Sequence, residues 1–213
     1  MPSGSKGNVG SEGGTMPKII DGQARRERIA EAVWAIAARD GLGSATIRTV
    51  AAECGLSVGS IQHSFASQAC LQRFAMELIV QRVTERLSAP LASEQLTETG
   101  ATDGIIVRLL QLLPLDPERE AEARVWFAFL NAALTDDELA PYAAEIDALI
   151  GSFCRNCLEQ LSTAREDGHA SLDERASALH ALLDGLTVHM LAAPFAMDDA
   201  GAERIVRSFL SHA

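Results

Sequence analysis

Three candidate helix N-caps, Thr46, Ser57 and Ser67, stand close together in this chain, with Gly55 between the first two. A hydroxyl at an N-cap accepts a hydrogen bond from a backbone N–H one turn further on, and glycine readily closes a helix. Caps at this spacing leave room for two short helices. The first carries Ile47, Val50 and Ala51 inward and closes at Gly55 after barely two turns; the second runs from Val58 to about Ser64. Neither buries enough on its own, so longer helices must hold the pair. Residues 24–40 supply one, with Ile29, Val33, Ile36 and Ala37 on one face and Gly41 and Gly43 at its end. Ser67 opens the other, which runs to about Leu87 with Leu71, Phe74, Ala75, Leu78, Ile79 and Val83 on one side.

The second short helix lies in GLSVGSIQHSF, residues 55–65, which is polar without being charged. Ile61 and Phe65 anchor it to the longer helices. Val58, Gly59, Ser60, Gln62 and His63 are left over, small or hydrogen-bonding. Two short helices joined by a tight turn around residues 54–57 form a helix-turn-helix, whose second helix enters the DNA major groove. Gln pairs bidentately with adenine, and Ser and His reach base edges or phosphates. Such a helix is polar because it faces nucleic acid.

The remainder predicts helices throughout. Ile105, Ile106, Leu109, Leu110 and Leu113 make one stripe. Asp116 caps the next helix, with Pro117 at its first position. Its VWFAFLNAAL segment is apolar nearly all round, which predicts the central buried helix. Others cover Pro141 to Leu161, Leu172 to about Ala192, and Asp198 to Ser211, with Pro194 in the last turn. The expected fold is all-α with about nine helices: a three-helix helix-turn-helix head on a helical body. The expected division is a disordered Gly/Ser-rich tail over 1–17, a DNA-binding domain over 18–66 and a helical domain over 67–213. A linker is expected at Ser88 to Gly100.

The net charge of −11 argues against nucleic acid until its distribution is read. Residues 1–87 carry 10 Lys+Arg against 8 Asp+Glu, a net of +2, and residues 88–213 carry 8 against 21, a net of −13. A mildly basic head on an acidic body suits a DNA-binding module with a regulatory domain. No apolar run is long enough to span a membrane, and few cysteines without a secretory leader predict reduced thiols in a cytoplasm. No nucleophile elbow, phosphate-cradling glycine loop or HExxH is present, so neither enzymatic activity nor a cofactor is expected. Cys154 and Cys157 sit at i and i+3 within a helix without a second pair, so no metal site is expected; core packing is the main reading and redox sensing the other.

TIRTVAAECGLSVGSIQHSFASQACL, residues 46–71, resembles the DNA-binding signature of the TetR family of transcriptional regulators, and the likeness extends through RRERIAEAVWAIAARDGLGSAT. EARVWFAFLNAALTDDELAP and LHALLDGLTVHM are similar to the branch typified by the choline-sensing repressor of betaine synthesis, a similarity that does not carry the ligand over. The resemblance implies a homodimeric repressor of a pseudopalindromic operator on double-stranded DNA, released by a small-molecule effector. It implies that residues 67–213 are a ligand-binding and dimerisation domain, dimerising through Leu172–Ala192 and Asp198–Ser211, where His180 and His189 then pack. The expected DNA-contacting residues are Arg25, Arg28, Thr46, Arg48, Ser57, Val58, Gly59, Ser60, Gln62, His63, Ser64 and Gln68. Family members usually carry Tyr in place of Ser64 and often Lys in place of Gln68, both on phosphates. Weak, salt-sensitive binding is therefore expected unless Arg25, Arg26, Arg28 and Arg48 compensate. Phe74, Trp126, Phe127, Asn131, Tyr142 and Phe153 are the candidate ligand-binding residues. The acidic body suggests a cationic ligand held by cation–π contacts. The alternative function is a helical ligand carrier or redox sensor with a weakened head.

Overall fold

The computed structural model describes residues 18–89, 100–161, 171–192 and 197–212. Expectations for the tail over 1–17, most of the linker and Pro194 fall outside them. Among the described residues there are nine α-helices and no strand: α1 (Lys18–Asp40), α2 (Ile47–Glu53), α3 (Val58–Gln62), α4 (Gln68–Ser88), α5 (Ala101–Leu110), α6 (Pro117–Ala133), α7 (Ala140–Leu161), α8 (Leu172–Leu191) and α9 (Asp199–His212). A single 3-10 turn, Leu42–Ser44, joins α1 to α2.

The caps set this segmentation. Thr46, Ser57 and Ser67 each accept from the backbone N–H three residues on, at 3.1, 3.2 and 3.1 Å. Asp116 accepts from Arg119 N–H at 2.8 Å, and Ser171 opens α8 in a reciprocal capping box with Glu174. Gly55 stands at φ 64 in the α2–α3 turn, the left-handed region that glycine enters freely. Three boundaries differ from expectation by two residues or more. Helix α1 begins at Lys18 rather than Ala24, α3 closes at Gln62 rather than Ser64, and α5 stops at Leu110. After Leu110 the chain tightens into turn hydrogen bonds, and Leu113 still reaches the core fully buried.

Helix α6 is central, packing on α1, the 3-10 turn, α4, α7 and α8. One apolar cluster joins α1–α4 to α6 and the first half of α7 through Ile36, Ile61, Leu71, Phe129 and Ile146. A second joins α5, the second half of α7, α8 and α9 through Leu109, Leu158, Leu179 and Val206. Helix α4 contributes to the first cluster and then extends beyond it along α6. Trp34 Nε1 donates to Ala75 O at 2.9 Å, and Arg82 lies over the same indole, 4.6 Å from its centroid. Gln72, buried at 4% exposure, donates to Leu42 O at 2.9 Å and Ala45 O at 3.4 Å. Helix α4 is thereby tied to both ends of the α1–α2 connection.

Candidate functional site

Helix α3 is too short to hold its own orientation, so its neighbours supply it. Ile61 is fully buried, and the Phe65 ring just beyond the helix sits 5.1 Å from that of Phe74 on α4. Arg26 covers Phe74 from α1 at 4.8 Å. Arg25 donates from Nη2 to Ser60 O at 2.9 Å and also to the Ser60 hydroxyl. Arg28 donates to Cys54 O at 2.8 Å, holding the turn that leads into α3. With one face pinned, Val58, Gly59, Gln62 and His63 stand exposed on the other. A Cβ added at Gly59 would meet nothing within 4 Å, so the outer surface of the helix is open to close approach.

The twelve residues expected at DNA thus divide. Val58, Gly59, Gln62, His63, Ser64 and Arg48 are exposed, and Arg48 has no ion-pair partner among the described residues. Thr46 and Ser57 are caps at the starts of α2 and α3. Arg25, Arg28 and Ser60 are turned to one another and to the α2–α3 backbone, because α1 crosses the pair closely enough for its guanidiniums to reach unsatisfied carbonyls. Gln68 reaches back to Gly43 O at 3.5 Å. Of the four arginines expected to compensate for Ser64 and Gln68, three are engaged within the protein.

A cavity of about 500 Å³ lies between the far half of α4 and helices α5–α8. Its apolar wall includes Met76, Ile79, Trp126, Phe127, Ile150 and Phe153. It is open on one side, where Leu149 is 59% exposed. Three of the expected ligand-binding residues, Trp126, Phe127 and Phe153, line it, and three do not. Phe74 is buried between Phe65 and Arg26. Tyr142 packs edge-on against Phe129 at 5.9 Å under Arg73, and burial pushes its phenol up to about 12. Asn131 is exposed, because the buried stripe of α6 is Glu122, Val125, Phe129 and Ala133, and position 131 falls on the opposite side.

The polar wall holds the residues that sequence reasoning passed over: Arg86, Arg108, Arg119, Glu122, Asp184 and Thr187. Arg86 grips Glu122 bidentately at 2.7 and 3.3 Å, with Glu122 only 8% exposed. Arg119 is held by Asp116 at 2.8 Å and by Leu110 O at 3.0 Å. The Arg108 side chain makes neither ion pair nor hydrogen bond among the described residues. Burial raises the Asp184 carboxyl above its ordinary value, opposed by His180 at 3.7 Å. Glu122 was detectable as an acid in register with the apolar stripe at 125 and 129. Arg86 and Arg108, on helices with solvated faces, left no such signal.

Cys157 is on this wall and Cys154 lies just behind it, both buried in the second cluster. Burial pushes Cys154 up to about 12 and Cys157 up to about 11, with Arg108 pulling Cys157 the other way. Neither thiol forms the reactive thiolate near neutral pH. His180 faces Gly151 and Asp147 of α7. No group of metal-ligating side chains occurs among the described residues, and no described helix is long and apolar enough to cross a membrane.

A capped helix-turn-helix braced by α1 and α4, on a helical body with a cavity, defines a class of helix-turn-helix transcriptional regulators. The chain belongs to the TetR family of transcriptional regulators, and the family model for the carboxyl-terminal domain of BetI-type transcriptional repressors matches residues 101–213. The HTH-type transcriptional regulator PksA of Bacillus subtilis strain 168 is 32% identical over 198 residues, 92% of each chain. A transcriptional regulator from Rhodococcus superposes with a TM-score of 0.72 at 28% identity, covering 88% of this chain and 94% of that one. A regulator from Saccharomonospora viridis in complex with choline superposes at 0.68 and 24% identity, covering 89% and 97%.

Proposed function

We propose that this protein is a homodimeric one-component repressor. Residues 18–66 place α3 in successive major grooves of a pseudopalindromic operator, and residues 67–213 dimerise through Leu172–Ala192 and Asp198–Ser211. A small molecule in the cavity shifts the population toward a conformer whose two α3 helices no longer match grooves about 34–36 Å apart. One observation carries this reading: α4 belongs to both sites. Its first turns pack through Phe74 on Phe65, just past α3, and its last turns supply Val83, Arg86 and Leu87 to the cavity. A ligand that moves the end of α4 moves the support of α3.

The test is selection of random duplexes by the full chain at about 100 mM salt, since phosphate contacts weaken steeply with salt. Enrichment of a two-fold-related motif is expected. Recovery of no motif by folded dimer would overturn the repressor reading and favour the ligand carrier.

A further inference from the structure

The acidic composition of the carboxyl half points to a cationic effector, but the cavity wall carries the opposite sign. Among its charged residues are three arginines, Arg86, Arg108 and Arg119, and two acids, Glu122 and Asp184. Glu122 gives both oxygens to Arg86. Asp184 lies 3.7 Å from His180, which is equally far from Asp147 and pairs with either carboxylate only when protonated. A cation entering the cavity would find aromatic faces and one carboxylate at most, and would meet Arg108 uncompensated. Two of the arginines are also occupied: Arg86 by Glu122, and Arg119 by Asp116 and the Leu110 carbonyl. Arg108 alone of the wall's arginines has no side-chain partner among the described residues.

A half-buried guanidinium beside an apolar wall offers a planar fork of donors, which matches a carboxylate bidentately. The rest of the wall, with Trp126, Phe127, Ile150 and Phe153, is suited to a hydrophobic body. We propose that the cavity takes an anionic amphiphile, a carboxylate on an apolar body, with the carboxylate on Arg108 and the body against the aromatic wall. This rests on the reading of the cavity as the effector site and specifies the chemistry of its ligand.

The experiment is calorimetric titration of the full chain with decanoate, decylammonium and decanol, which share an apolar chain and differ in head-group charge. Decanoate is expected to bind at least about tenfold more tightly than either of the others, about 1.4 kcal/mol. In R108M its affinity falls to that of decanol, while R108K, which keeps the charge but not the fork, retains only part of the preference. Equal or tighter binding of decylammonium would overturn the proposal. So would a decanoate preference that survives in R108M, or no binding by any of the three. Duplex selection by the unliganded chain is scored separately. A chain that selects a motif but prefers decylammonium loses only this inference, whereas one that selects no motif loses the regulator reading itself.

Discussion

Arg25 on α1 donates to the backbone carbonyl of Ser60 on α3 at 2.9 Å, and to the same residue's hydroxyl. A residue whose charge suggests phosphate binding instead fixes the helix that faces outward. Replacing Arg25 by Met removes these bonds while keeping some of the packing. Loss of a charged hydrogen-bonding partner costs about 1–3 kcal/mol. We expect faster amide exchange in α3 and at least about a tenfold loss of operator affinity, with α6–α9 unchanged in exchange. Unaltered exchange in α3 would show that Ile61 and Phe65 hold it without help.

Gln62 and His63 are the exposed polar side chains at the end of α3. The double variant Q62A/H63A should weaken binding to the selected operator by about 1–3 kcal/mol, the range of one good base contact, and relax preference at the base pairs beneath. Circular dichroism should be unchanged, because neither side chain is buried. Unchanged affinity would remove both from base reading.

Arg48 is exposed on α2 with neither an ion pair nor a side-chain hydrogen bond among the described residues, whereas Arg25 and Arg28 donate to Ser60 and to the Cys54 carbonyl. R48A is expected to weaken specific and non-specific duplexes alike. The slope of log affinity against log salt should fall by about one. A sequence-dependent effect with an unchanged slope would make Arg48 a base reader instead.

Glu122 and Arg86 form a bidentate pair between α6 and the end of α4, with side chains 10% and 23% exposed. Removing one partner leaves the other charge in a largely dry site. E122Q should lower unfolding stability by about 3 kcal/mol, while E122M/R86M recovers most of the loss. Denaturant titration of the three proteins measures this, and a double variant as unstable as E122Q would refute the pairing argument.

Cys154, Cys157 and Tyr142 predict weakening in alkali. Their folded pKa values lie at about 12, about 11 and about 12, above ordinary values of 9.0 for the thiols and 10.0 for the phenol. Above about pH 9 the unfolded chain releases protons that the folded chain retains, so stability falls as pH rises. Their contribution is fully present below the unfolded values and is lost progressively up to the folded ones. Urea midpoints should fall steadily above pH 9, and less steeply in C157A. At neutral pH, alkylating reagents should modify exposed Cys70 first and spare Cys154 and Cys157 in the folded protein. Duplex binding that changes when Cys154 and Cys157 alone are oxidised would restore the redox reading.

The helix content and most boundaries were legible in the sequence because caps and apolar spacing are local signals. Thr46, Ser57, Ser67 and Asp116 all cap the helices assigned to them. The exposed face of α3 was legible for the same reason, since a short polar helix between glycine and serine stops has few other uses. The Arg25–Ser60 contact was not legible, because the two residues lie 35 positions apart on different helices. Asn131 was taken as buried because it lies in an apolar run, and a run does not reveal which face of its helix turns inward.

By itself, the sequence determined an all-helical chain with a helix-turn-helix near its amino end, because hydrogen bonds within one turn and a 3.6-residue period decide those features. Only the tertiary structure decided the charge of the cavity. That charge depends on which arginines from α4, α5 and α6 meet which carboxylates: Arg86 on Glu122, Arg119 on Asp116, and Arg108 on neither. Ion pairing acts over a few ångströms between helices far apart in sequence. A net charge of −11 over the whole chain therefore carried no information about the sign at its centre.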